Sequence, residues 1–142
     1  MSIVHFVYGY RPSRIKRIED LASEYSDPAD IIRLGPVIHK RQIIEITRLL
    51  SSAPISMKST GKSAVLYMDK AGRGIQTGLL KLLEDTPANS LFILTKDSIE
   101  NILPTILSRC VLTKMSYPSY GDSVRDLAIS GMTFKAAASL AI

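Results

Sequence analysis

At 142 residues, with 46% hydrophobic and 22% charged residues, the chain is long enough for one packed core and too apolar for intrinsic disorder. Its net charge of +5, from 18 basic and 13 acidic residues, tolerates an acidic partner such as a nucleic acid without demanding one. One cysteine, Cys110, excludes an internal disulfide and, with two histidines, a cysteine-rich metal cluster; the apolar runs are too short to cross a bilayer, and residues 1–8 lack the pattern of a signal peptide, so a cytoplasmic location is expected.

Two periodicities alternate along the chain. Residues 3–8, 30–34, 64–68, 91–95 and 111–115 are short β-branched, apolar runs, the pattern of strands buried on both faces of a parallel sheet. Between the first two, residues 13–25 follow a proline with helical spacing. Ile15, Ile18, Leu21, Ala22 and Tyr25 are expected on the buried stripe, and Arg14, Lys16 and Arg17 mostly outside it. Residues 39–50 repeat the pattern through Ile43, Ile44, Thr47 and Leu50. Residues 74–84 do so through Ile75, Leu79, Leu82 and Leu83, and residues 99–107 give a shorter helix interrupted by Pro104. Strand and helix alternating about four times predict right-handed crossovers and a three-layer α/β sandwich on a five-stranded parallel sheet. That core is expected over residues 1–116. Pro118 and Gly121 then punctuate the chain, and residues 122–142 read as two small helices split at Ser130-Gly131.

The most specific text comes in three ordered blocks. Leu79-Leu80-Lys81-Leu82-Leu83-Glu84-Asp85-Thr86-Pro87 is followed by the run Phe92-Ile93-Leu94-Thr95, and that by Leu103-Pro104-Thr105-Ile106-Leu107-Ser108-Arg109-Cys110. Singly, each block is also what an ordinary amphipathic scaffold supplies. Together, with the upstream segment 37–43, they resemble the AAA+ clamp-loader family of DNA replication, above all its δ′ and γ/τ-type subunits, over residues 35–115. The resemblance implies the AAA+ core and, for residues 117–142, part of the helical lid. About 20 residues after Pro118 are too few for both a lid and the oligomerising collar that follows it in relatives.

Departures from the family are as informative. A phosphate loop needs glycines whose N–H groups approach the anion and a lysine reaching the terminal phosphates. After the first strand the chain has Gly9-Tyr10-Arg11-Pro12-Ser13-Arg14-Ile15-Lys16. The second loop glycine would fall at Arg14 and the lysine at Ile15. Pro12 removes a donor, and Lys16 comes one residue late, on the wrong side of a helix. Active relatives end the third strand in Asp-Glu, holding magnesium and activating water; here Asp69 is followed by Lys70, which cannot act as that base while protonated. Asp69 is expected to pair locally with Lys70 or cap the loop before the next helix. The chain is thus expected to bind no cofactor itself, ATP and magnesium belonging to a neighbouring subunit.

What is kept is the Ser-Arg-Cys block. The resemblance makes Arg109 a trans-acting arginine finger, reaching ATP on the neighbour with a permanently charged planar fork of donors. Ser108 is expected to serve the local turn and Cys110 to pack as a small apolar residue. Thr95, where relatives sense the γ-phosphate, is expected to make a local hydrogen bond. The cations are spread as eight before Ala53, five from Ala53 to Ser90 and five after it, so the fold must gather any DNA surface. Relatives line their ring with helix starts, which points to Lys40, Arg41 and Arg73, with Gly72 and Gly74 allowing a phosphate close approach.

The expected function is a non-hydrolysing, δ′-like clamp-loader subunit. Its expected partners are AAA+ clamp-loader ATPase subunits, a sliding clamp and primer-template DNA. The alternatives are a free-standing nucleic-acid-binding or interaction module that keeps the AAA+ fold, and an ATP-binding enzyme with an atypical loop at 9–16.

Overall fold

The computed structural model describes residues 3–116, and the lid expected over 117–142 lies outside them. In chain order the elements are β1 (Ile3–Gly9), α1 (Arg11–Tyr25), a 3₁₀ turn (Pro28–Asp30), β2 (Ile31–Leu34) and α2 (Lys40–Ser51). β3 (Lys62–Tyr67), α3 (Arg73–Glu84), β4 (Ser90–Lys96), α4 (Pro104–Leu107) and β5 (Val111–Met115) follow. All strand pairs are parallel, in the order β2-β3-β4-β1-β5. This is the expected five-stranded α/β sheet.

Side chains alternate across the sheet and so divide the core in two. Phe6, Ala64, Leu66, Phe92 and Leu94 face Ile43, Ile46 and Leu50 of α2, Leu79, Leu82 and Leu83 of α3, and Ile106 of α4. Val7, Val65, Leu91 and Ile93 face Ile18 and Ala22 of α1. The largest fully buried among them, such as Phe6, Phe92, Ile18, Ile46, Leu79 and Ile106, each contribute about 1.5–3 kcal/mol by leaving water.

The structure corrects several local expectations. The buried stripe of α1 is Arg14, Ile18 and Ala22, whereas Ile15 is 39% exposed. On α2 Ile46 is buried instead of Ile44, which is 72% exposed. The helix expected over 99–107 is confined to the four residues of α4, because Pro104 can only begin a helix and Asn101 takes a left-handed turn. β5 is an edge strand with Val111 and Leu112 exposed, so it is not buried on both faces.

The winding reverses between β1 and β4: β1 leads away toward β2, while β4 leads to β5 on the other side. In a parallel sheet such a switch point opens a crevice beyond the carboxyl ends of the strands. Gly9 sets the β1 end of it. With φ at 111° and Met115 so close that an added Cβ would overlap its carbonyl oxygen, only glycine fits there.

Candidate functional site

A cleft of about 520 Å³ lies at this switch point, lined by Arg11, Arg14 and Ile15 of α1, Gly35 and Pro36 after β2, Tyr67, Asp69 and Lys70 from the β3 end, and Thr95 of β4. One residue, Tyr10, separates β1 from α1. Its N–H bonds the Met115 carbonyl at 2.7 Å, and its carbonyl accepts from Arg14 N–H at 2.9 Å. The strand therefore enters the helix directly, with no stretch of backbone long enough to wrap a phosphate.

Arg14 turns inward. It is 7% exposed, and Nη1 donates to the Thr95 hydroxyl at 3.1 Å. Thr95 thus reaches 81 residues back along the sequence, and the local bond expected for it is not what the structure has. Arg14 Nε is buried with no hydrogen-bond partner, and among the described residues no carboxylate stands within ion-pair distance of the guanidinium. An unmet buried donor costs about 1–3 kcal/mol, more for a charged group. The sequence did carry a signal for this inward turn. Arg14, Ile18 and Ala22 follow one another at i, i+4 and i+8, one side of a helix, although the charge argued for the outside.

Lys16, by contrast, is exposed, as expected for a residue on the far side of α1. Asp69 and Lys70 are both exposed. The ion pair expected between them is absent among the described residues, and Gly72 stands at the N-cap of α3.

Arg109 lies elsewhere, in the turn from α4 into β5. Its backbone N–H bonds the Ile106 carbonyl at 3.0 Å. Its Nη2 lies 3.3 Å from Glu84 Oε1 at the end of α3, and the two side chains are 45% and 49% exposed. The guanidinium is thus steered along the surface by a carboxylate and remains open to solvent. Beside it, Ser108 Oγ donates to the Thr105 carbonyl at 3.0 Å, the local turn contact expected. Cys110 Sγ donates to the Ile106 carbonyl, and burial raises its pKa to about 11. A thiol so protonated at neutral pH is a poor nucleophile.

A buried amide fixes the route into that turn. Gln76 of α3, 3% exposed, donates from Nε2 to the carbonyls of Ala71 at 3.0 Å and Asn101 at 2.8 Å, and its Oε1 accepts from Leu103 N–H at 2.8 Å. Every polar atom of the side chain is engaged. Sequence reasoning missed this residue, since a glutamine among leucines reads as the solvent side of a helix.

The three cations named for DNA stand at helix starts: Lys40 and Arg41 open α2, and Arg73 opens α3. All are exposed. An added Cβ on Gly74 would meet the Lys40 side chain at 3.9 Å, so the starts of α2 and α3 are neighbours, and the fold does gather Lys40 toward the turn that carries Arg73. Lys40 and Gly74 also line a groove of about 540 Å³ between the two helices. Among the described residues there is no cluster of three metal-ligating side chains, and no helix is long and apolar enough to cross a membrane.

The sequence pattern of the family described as DNA polymerase III, delta subunit, matches residues 11–119. The chain belongs to that family. It therefore belongs among clamp-loader-related subunits of DNA polymerase III. The fold is shared with many solved structures, among them the following two. A DNA polymerase III gamma subunit-related protein from Thermotoga maritima superposes with a TM-score of 0.69 at 21% identity, over 99% of this chain and 53% of that one. The DNA clamp loader delta protein of Bacillus subtilis superposes with a TM-score of 0.59 at 8% identity, over 96% of this chain and 47% of that one. The chain thus spans about half the length of either structure. No curated protein matches it in sequence.

Proposed function

We propose that this member of the delta subunit family is a δ′-like clamp-loader subunit that hydrolyses no ATP and instead presents Arg109 to nucleotide held by an adjoining ATPase subunit. The observation that carries this reading is the contrast between the two arginines. Arg14 turns in along the crevice where a nucleotide-binding relative would seat phosphate, with one residue in place of a loop; Arg109 is held at the surface by Glu84. A guanidinium that keeps its charge and remains half solvent-exposed can reach across a subunit boundary, where phosphoryl oxygens gain charge during transfer.

In this reading Lys70 removes the general base, and Asp69 alone does not make a magnesium site. The exposed cations Lys40, Arg41 and Arg73 would follow the phosphates of primer-template DNA as a sliding clamp is loaded.

The test is reconstitution with the ATPase subunits and clamp of the same organism. Arg109→Ala is expected to lower turnover at the adjoining site by on the order of 10³-fold while the complex still assembles on a sizing column. Unchanged turnover would remove the finger role. Micromolar binding of ATP and magnesium to the wild-type chain alone would remove the division of labour.

A further inference from the structure

We propose that the groove between α2 and α3 is a docking site for one amphipathic helix of a partner protein, apolar on its inner face and carrying carboxylates on its flanks. On α3 the groove wall is a single stripe, Gly74, Thr77, Gly78, Lys81, Leu82 and Asp85, at the spacing of one helix face. Facing it, α2 supplies Lys40, Ile43, Ile44 and Thr47. Ile43 and Leu82 are buried and make the floor, whereas Ile44 stands largely in solvent at the rim. From Gly74 to Asp85 the stripe rises about 16 Å, the length of three turns of a second helix laid along it.

The chemistry of the lining narrows the occupant. Both hydroxyl protons are engaged: Thr47 Oγ1 donates to the Ile43 carbonyl at 3.1 Å and Thr77 Oγ1 to the Arg73 carbonyl at 2.8 Å, each four residues back on its own helix. Beyond their first turns the backbone groups of α2 and α3 are committed to helical bonds as well. An extended peptide would bring a row of N–H and C=O groups that this lining cannot match along its length, whereas a helix satisfies its own. The charged groups are Lys40 and Lys81 against Asp85 alone, so acidic flanks complement the groove and basic flanks do not. Two glycines fit the same occupant. A Cβ on Gly78 would meet Ile43 Cδ1 at 3.7 Å and one on Gly74 the Lys40 side chain at 3.9 Å, both ordinary contacts, and neither glycine has a positive φ. Alanine would fit at both positions and favour the helix, so the fold itself does not call for glycine there. The close approach of a second helix does. Nothing in this assignment depends on Arg109 or on nucleotide.

The experiment uses the full chain and a synthetic peptide of about 15 residues, capped at both ends, with leucine at every third or fourth position, alanine between and glutamate on the flanks. Its controls are the same peptide with lysine for glutamate and the same peptide with a central proline. Binding is read from ¹⁵N–¹H spectra of the chain and from circular dichroism of the peptide. The acidic peptide is expected to bind saturably, to become helical on binding and to shift the amide signals of Ile44, Gly74 and Gly78. The lysine and proline versions are expected to bind at least about tenfold more weakly. Gly78→Leu, which puts a side chain into the groove, and Ile44→Asp, at an exposed position, are each expected to weaken the acidic peptide by about tenfold or more. The second variant keeps the inference testable should the first fail to fold. Lys81→Glu is expected to remove the preference for glutamate flanks over lysine. Equal affinity for both charge versions would overturn the proposal, as would a proline version that binds as well, variants without effect, or a wild-type chain that does not respond. Primer-template DNA is the last arm. Shifts confined to the helix starts at Lys40, Arg41 and Arg73 support a groove kept for protein. The peptide's own shifts at Ile44 and Gly78, produced by DNA, would assign the groove to nucleic acid and overturn the proposal. None of these readouts involves Arg109, so their failure leaves the Arg109→Ala result in the reconstituted complex to be decided on its own.

Discussion

Arg109 and its partner differ in what each can contribute. The Glu84 pair lies at the surface, where solvent screens it, so Glu84→Gln is expected to change unfolding free energy by less than about 0.5 kcal/mol. If Arg109 acts as the proposed finger, the same variant in the reconstituted complex is expected to slow ATP turnover about three- to tenfold, because a guanidinium without its anchor spends less time aimed. An equal loss in stability and in turnover would make the pair structural. Asp30 shows the opposite balance. It is 1% exposed and accepts from the N–H groups of Ile55 and Ser56 and from the Ser59 hydroxyl, at 2.7, 3.0 and 2.7 Å. Burial alone would raise its pKa, but those bonds and the Lys62 charge outweigh it, and the net direction is down from 3.8. The folded state thus prefers the carboxylate. Its contribution is complete above the unfolded value and is lost as pH falls through the lowered folded one. Asp30→Asn is therefore expected to destabilise the chain by about 2 kcal/mol at pH 7 and to flatten its acid unfolding below about pH 4, as read by denaturant titration across pH. Little of this was legible in the sequence, where an aspartate before Ile31 looks like the start of a strand. The loop that supplies its donors is more than twenty residues away and carries no periodic signal.

The strands were the most legible elements, because a run of β-branched residues between turns has few other uses. Helix faces were less so. On α2 both Ile43-Ile44 and Ile46 fit an apolar stripe, and which isoleucine is left at 72% exposure depends on where α3 lies, which no local pattern records. The segment leading to α4 gave no helical core because its order comes from Gln76. That amide ties the start of α3 to Asn101 and Leu103, and through them sets where α4 and the Arg109 turn begin. Gln76→Leu keeps the volume but leaves Leu103 N–H unmet. It is expected to cost about 2 kcal/mol in chemical denaturation and to reduce turnover of the complex more than Glu84→Gln does. Full turnover in a measurably destabilised Gln76 variant would uncouple the tether from the finger.

At the scale of the molecule, strand order decides which distant residues can cooperate. Because every strand is parallel, α1, α2 and α3 all start at the same edge of the sheet, and cations scattered through the sequence come to share one side of it. If Lys40, Arg41 and Arg73 meet DNA phosphates, replacing all three by alanine is expected to weaken primer-template binding by the assembled complex. It should also reduce the slope of log affinity against log salt by about 2–3. An unchanged slope would assign the DNA contacts to other residues. The blocks that carried the family likeness lie on α3, β4 and the turn into β5, all close to expected positions. What the sequence could not convey was how tightly β1 runs into α1.

That tight junction has a consequence for any attempt to engineer a phosphate loop into the chain. Substituting glycine and lysine into residues 9–16 would restore letters but no backbone, since Tyr10 is still the single residue between strand and helix. Inserting residues would supply the length, yet each one added ahead of α1 turns the helix by about 100° unless the new chain bulges outward, carrying Ile18 and Ala22 off the sheet. Building a phosphate-wrapping loop at this junction would therefore take an insertion and a compensating repack of α1 together.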